Sequence, residues 1–102
     1  MKRIIAPLIV VGVCAASAVP ASGAESVRVG DNFFDQRTER VSRGERVTWR
    51  WVGDRRHNVV FSRRVRSSTK RSGTYSRRFT RRGTFQYRCT LHNGMTGRIV
   101  VR

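Results

Sequence analysis

Apolar positions between residues 26 and 102 recur mostly at every second residue, and the runs are short. Ser26-Val27-Arg28-Val29 alternates polar and apolar, the period of a half-buried strand. Gly30-Asp31-Asn32 is a turn signal, and of Phe33 and Phe34 behind it at least one is expected in the core. A short strand is expected over residues 38–41, closed by Ser42-Arg43-Gly44. The clearest strand covers residues 45–52, with Val47, Trp49 and Trp51 on one face and Arg46, Thr48 and Arg50 on the other. Both tryptophans are expected to pack in the core. After a loop at residues 53–56, His57-Asn58-Val59-Val60-Phe61 reads as a strand that puts His57, Val59 and Phe61 on one face. Residues 62–74 have no apolar period and read as a long, exposed, basic loop. Strands are expected again over residues 75–80 and 84–89, joined by Arg81-Arg82-Gly83, with Phe85, Tyr87 and Cys89 facing inward. A last strand over residues 97–102 puts Ile99 and Val101 on one face. Beyond residue 24 there is no helical period of useful length. About seven short strands with regular turns argue for one antiparallel β-sandwich domain.

The first residues follow another pattern. Lys2 and Arg3 precede an apolar stretch over residues 4–18, and small residues lead to Ser22-Gly23-Ala24. That is the layout of a secretory signal peptide over residues 1–24, leaving a domain of residues 25–102; Ala16-Ser17-Ala18 is the second choice of cleavage site. The apolar stretch is shorter than the ~20 residues of a membrane span, so an uncleaved anchor is the lesser alternative. Val13 before Cys14 argues against lipidation. The expected location is periplasmic or extracellular, with attachment to the cell envelope left open.

Cleavage changes the chemistry available. Cys14 leaves with the leader, Cys89 stands alone, and no disulfide can help a small domain with a marginal core. A single exported cysteine is buried and inert, reactive, or bound to metal. A metal bound only by the folded state would also stabilise it.

The charge is extreme. The chain holds 22 Lys and Arg against 6 Asp and Glu, and only Lys2 and Arg3 fall in the leader. Such a surface either seeks an anionic partner, such as an acidic protein face or an anionic envelope or membrane surface, or simply keeps a small protein soluble. Export argues against nucleic acid as that partner.

The candidate chemistry lies in Cys89-Thr90-Leu91-His92-Asn93-Gly94-Met95, with His57 upstream. Without the leader, Cys89, His57, His92 and Met95 are every thiol, imidazole and thioether in the chain. Zinc usually takes a harder fourth ligand than Met, or a water beside a catalytic base. Two imidazoles, a thiolate and a weak thioether suit one redox-active copper ion.

At these residues the sequence resembles the cupredoxins, the blue-copper family that includes plastocyanin, pseudoazurin and amicyanin. The resemblance rests on Gly44-Glu45-Arg46-Val47-Thr48-Trp49, His57-Asn58-Val59-Val60-Phe61, Gly83-Thr84-Phe85-Gln86-Tyr87-Arg88-Cys89, the loop to Met95, and Gly97-Arg98-Ile99-Val100-Val101. The spacing Cys-x-x-His-x-x-Met is similar to that of amicyanin. The resemblance implies a Greek-key β-sandwich with His57, Cys89 and His92 as strong copper ligands and Met95 as the weak axial one. It implies that Asn58 bonds across to the Cys89–Thr90 segment, which Thr90 helps to fix, so that both hold the ligands from outside. Two departures stand out: Phe34-Asp35-Gln36 lacks the proline of the usual F-x-P, and Asn93-Gly94 replaces the proline that often follows the loop histidine.

The function expected is single-electron transfer to a redox protein with an acidic docking face, by a monomer that is not an enzyme. His92 is the expected electron port, and Arg55 and Arg56 beside His57 are expected to raise the reduction potential. A copper carrier or store without redox turnover would use the same ligands. A basic exported protein binding anionic polymers or membrane surface is the reading without metal.

Overall fold

The computed structural model describes residues 24–102. The expected leader and Cys14 lie, except for Ala24, outside the described residues. Seven strands follow in order: β1 Ala24–Gly30, β2 Phe33–Asp35, β3 Thr38–Val41, β4 Arg46–Trp51, β5 Thr74–Arg78, β6 Gly83–Arg88 and β7 Thr96–Val101. They form one sheet in the order β2-β1-β4-β5 and a second in the order β3-β7-β6. Among the described residues there is no helix.

The alternation read from the sequence is what buries the strands. Val47, Trp49 and Trp51 of β4 are buried while Arg46 and Arg50 are exposed. Phe34 is buried and Phe33 is about half exposed. Val27 and Val29 from β1, Val41 from β3, Tyr87 from β6 and Ile99 and Val101 from β7 complete the layer between the sheets. Trp49 is its centre, edge-on to Phe61 at 5.7 Å and to Tyr87 at 5.3 Å. Phe34 meets Tyr87 edge-on at 4.7 Å across the layer. Gly97 is required there, because a Cβ would lie 2.5 Å from the Tyr87 hydroxyl.

Three expectations need correction. Both sheets are mixed rather than antiparallel: β1 runs parallel to β4, with Val29 opposite Trp51, and β3 runs parallel to β7. A period of two arises wherever one face is buried, whichever way the neighbour runs, so the pattern could not tell the two apart. Residues 57–61 do not form a strand. They make isolated bridges, His57 to Lys70 and Val60 to both Arg66 and Arg88, and His57, Asn58 and Val59 are all buried in succession. The segment lies between Arg88 of β6 on one side and residues 66–70 on the other, and is covered on both. Finally, residues 62–74 are not simply an exposed loop. Arg63, Arg64, Arg66 and Arg71 are exposed, but Ser67 is buried, with its N–H donating to Val59 O at 2.8 Å and its Oγ accepting from Val59 N–H at 2.9 Å. The chain turns back along its own path and clamps the segment that carries His57.

At the end where β1 and β4 begin, Glu39 of β3 lies near Glu25 and Glu45. Burial, then the Glu25 and Glu45 carboxylates, push its pKa up to about 7.

Candidate metal centre

Parallel pairing sends β1 and β4 out of the same end of the sandwich, and β6 leaves its own sheet there too. Behind β4 the chain loops to His57, and behind β6 comes Cys89. Both residues are buried, His57 completely. Cys89 Sγ lies 3.9 Å from His57 Nδ1. The rings of His57 and His92 are 4.8 Å apart, and one ligand atom from each of His57, Cys89 and His92 lies within 4.8 Å of the others.

Those distances fit one ion. Bonds of about 2.0 Å to nitrogen and about 2.3 Å to sulfur set a trigonal nitrogen and sulfur about 3.7 Å apart. The donor set, a thiolate with two imidazoles, is soft enough for copper. Among the described residues no other group of three His, Cys, Asp or Glu side chains converges in this way. The Met95 side chain is buried. Its backbone closes the loop, since Met95 O accepts from Cys89 N–H at 3.0 Å and Met95 N–H donates to His92 O at 3.4 Å. Gly94 makes that turn with φ +78, where a side chain is strained.

The two histidines are held differently. His57 Nε2 meets Asp31 Oδ1 at 3.0 Å, which leaves Nδ1 facing the sulfur. Its backbone carbonyl accepts from Trp51 Nε1 at 3.2 Å, and its N–H and C=O both pair with Lys70. His92 is partly exposed, and its Nε2 has only the Arg56 carbonyl, at 3.3 Å.

Asn58 bridges the two ligand segments. Its Oδ1 accepts from Thr90 N–H at 2.9 Å, while its Nδ2 reaches Thr90 Oγ1 at 2.9 Å and Thr69 Oγ1 at 3.0 Å.

Sequence reading missed Asp31, taken only as part of a turn. Its carboxylate also accepts from the N–H groups of Asp54, at 2.9 Å, and Arg55, at 2.9 Å. The Asp54 N–H, the His57 ring and the Arg55 N–H pull its pKa down to about 2. The one signal available was scarcity, because carboxylates are few in so basic a chain. Trp51 was read as packing alone, and Thr69 and Ser67 as solvent-facing; each makes a bond that holds the His57 segment.

The pattern of the copper-binding proteins of the plastocyanin/azurin family matches residues 21–102. Amicyanin-alpha of Methylorubrum extorquens is 33% identical over 87 residues, covering 78% of this chain and 73% of the relative. Amicyanin of Paracoccus denitrificans is 33% identical over 93 residues, covering 84% of this chain and 71% of the relative. A Cu(I) structure of a mutant amicyanin superposes with a TM-score of 0.72 at 29% identity, covering 80% of this chain and 85% of that one.

Proposed function

The chain belongs to the plastocyanin/azurin family of copper-binding proteins, and on that premise we propose that it is an exported carrier of single electrons. One copper ion, passing between Cu(II) and Cu(I), would be held by His57, Cys89, His92 and Met95. The observation that carries the reading is the convergence of His57, Cys89 and His92 within 4.8 Å.

Copper supplies the one-electron couple; the chain supplies a geometry that does not have to change. His57 is fixed on its ring and on its backbone. Cys89 is tied through its N–H to Met95 and through Thr90 to Asn58. Ligands held this firmly keep rearrangement small when the charge changes, which favours electron transfer over delivery of copper to another protein. Four protein ligands leave no open position for a substrate, so the reading is a carrier and not an enzyme. His92, partly exposed, is the port, and the exposed Leu91 beside it and Phe33, which shares a cleft with Gly94, make an apolar rim for a partner.

The mature domain of this reading is residues 25–102, released from its leader outside the cytoplasm and working as a monomer. The arginine-rich surface steers it to a redox protein with an acidic docking face.

Loading with Cu(II) is expected to give an intense blue colour from charge transfer between the Cys89 thiolate and copper. A colourless protein, or a Cys89→Ser variant that keeps the colour, would falsify the copper site. The rate of reaction with the partner should fall steeply as salt is added; a rate indifferent to ionic strength sinks the acidic docking face.

A further inference from the structure

We propose that Asp31 is the positioning residue that sets the reduction potential of this centre and holds it down. It does so by fixing the ring of His57 through Nε2 and by placing a negative charge against that ligand. The proposal rests on the reading of His57 as a copper ligand.

Four observations carry it. Asp31 Oδ1 is 3.0 Å from His57 Nε2, and His57 is wholly buried, so no water competes for that nitrogen. The neutral ring carries one proton, and a carboxylate can only accept. The proton therefore sits on Nε2, and Nδ1, 3.9 Å from the Cys89 sulfur, keeps its lone pair for metal. The carboxylate is itself held by the N–H groups of Asp54 and Arg55. Lastly, Gly53 makes room for it: a Cβ there would collide with the Asp31 carboxylate. The turn between β1 and β2 and the loop before His57 are built around one side chain.

The electrostatic consequence has a definite sign. A carboxylate that accepts the Nε2 proton makes the imidazole a stronger donor at Nδ1. It also brings negative charge close to the ion. Both favour Cu(II) over Cu(I), the two states that differ by the electron exchanged with the redox partner. Arg55 and Arg56 push the other way, as the sequence suggested. Both are exposed, so water and salt screen them; the Asp31 carboxylate, 33% exposed, touches a ring that is wholly buried, and that direct contact is screened less. Asp31 therefore outweighs the arginines, although it is one charge against two.

The test measures midpoint potentials of copper-loaded wild type, Asp31→Asn, Gly53→Ala and the double variant Arg55→Gln/Arg56→Gln. Asp31→Asn removes the charge and keeps an oxygen for the backbone N–H groups. It is expected to stay blue and to lower the ratio of Cu(II) to Cu(I) affinity by about tenfold, which is about 59 mV upward for one electron. Gly53→Ala, which displaces the carboxylate without removing it, should shift the potential the same way by less. The double arginine variant should move it downward by less than Asp31→Asn moves it upward. A merely structural Asp31 would lower the melting temperature and leave the potential in place, and that result overturns the proposal. So does a larger shift from the arginines. In metal-free protein, nitrogen NMR of the His57 ring should show the proton on Nε2 in wild type and a mixture of tautomers in Asp31→Ala; a mixture in wild type overturns the positioning. If wild type takes up no copper, the copper reading fails, and this proposal with it, whatever the NMR reports. If wild type is blue and Asp31→Asn keeps the wild-type potential, only this proposal fails.

Discussion

His57 and His92 bring an imidazole each to the same cluster, yet they belong to different kinds of structure. His57 is part of the sandwich: buried, paired on both backbone groups with Lys70, and held on its ring by Asp31. His92 sits in a seven-residue loop, partly exposed, with a carbonyl 3.3 Å from its outer nitrogen. On the electron-carrier reading, a site made only of the first kind could not exchange electrons with a partner, because nothing would reach the surface. One made only of the second kind would rearrange whenever its charge changed. The molecule joins them through Asn58, which lies beside His57 in sequence and bonds to the residue after Cys89.

The largest effect is expected at that joint. Asn58→Leu keeps the branched outline of the side chain at a larger volume and removes three hydrogen bonds, leaving donors and acceptors of the two segments without partners. Urea denaturation should show a loss of about 2–3 kcal/mol, and the copper-loaded form should have a weaker, broader blue band. Loss of stability without spectral change would mean that the two segments are not coupled through Asn58.

A smaller change sharpens the contrast from the loop side. Gly94→Ala forces a side chain into φ +78, at about 1–2 kcal/mol. Because the strain is confined to the loop, the spectrum of the copper form should shift while the amide exchange of the His57 segment stays slow. Faster exchange at Val59 or His57 would show that loop and sandwich are not separate.

The smallest effect lies at the far end. Glu39, held up at about 7, binds its proton more tightly folded than unfolded. Stability should therefore fall as pH rises from about 4.5 to about 7 and lose nothing further above that range. Thermal melts across that interval should show the slope, and Glu39→Gln should flatten it. The blue band of the wild type should not follow Glu39, since the carboxylate and the metal site sit at opposite ends of the strands.

What could be read from the sequence divides along the same lines. The strands were legible because one buried face makes a period of two, and Val47, Trp49 and Trp51 could hardly be misread. Which strands run parallel was not, since Val29 alternates with its neighbours in the same way whether Trp51 lies beside it in one direction or the other. The segment from His57 to Phe61 was mistaken for a strand because Asn58 is polar. Alternation places such a residue in solvent, and only its bonds to Thr69 and Thr90 explain its burial. Ser67 was misplaced for the same reason. Asp31 lies 26 residues from His57, and no local pattern ties a turn aspartate to a distant ring. Polar side chains that act inside the fold are the ones whose roles depend on partners far along the chain.

The place of β7 has a consequence for how the molecule comes into being. It is the last of the seven strands, yet it is the middle of its sheet, and β3 and β6 meet only through it. In the same way β1, the first strand described, waits for β4 before it gains its parallel partner. Neither sheet can grow from local hairpins alone. Assembly therefore depends on contacts between distant parts of the chain, which is slow, on the order of milliseconds to seconds. A chain emerging N-terminus first would hold β3 and β6 unjoined until β7 arrived.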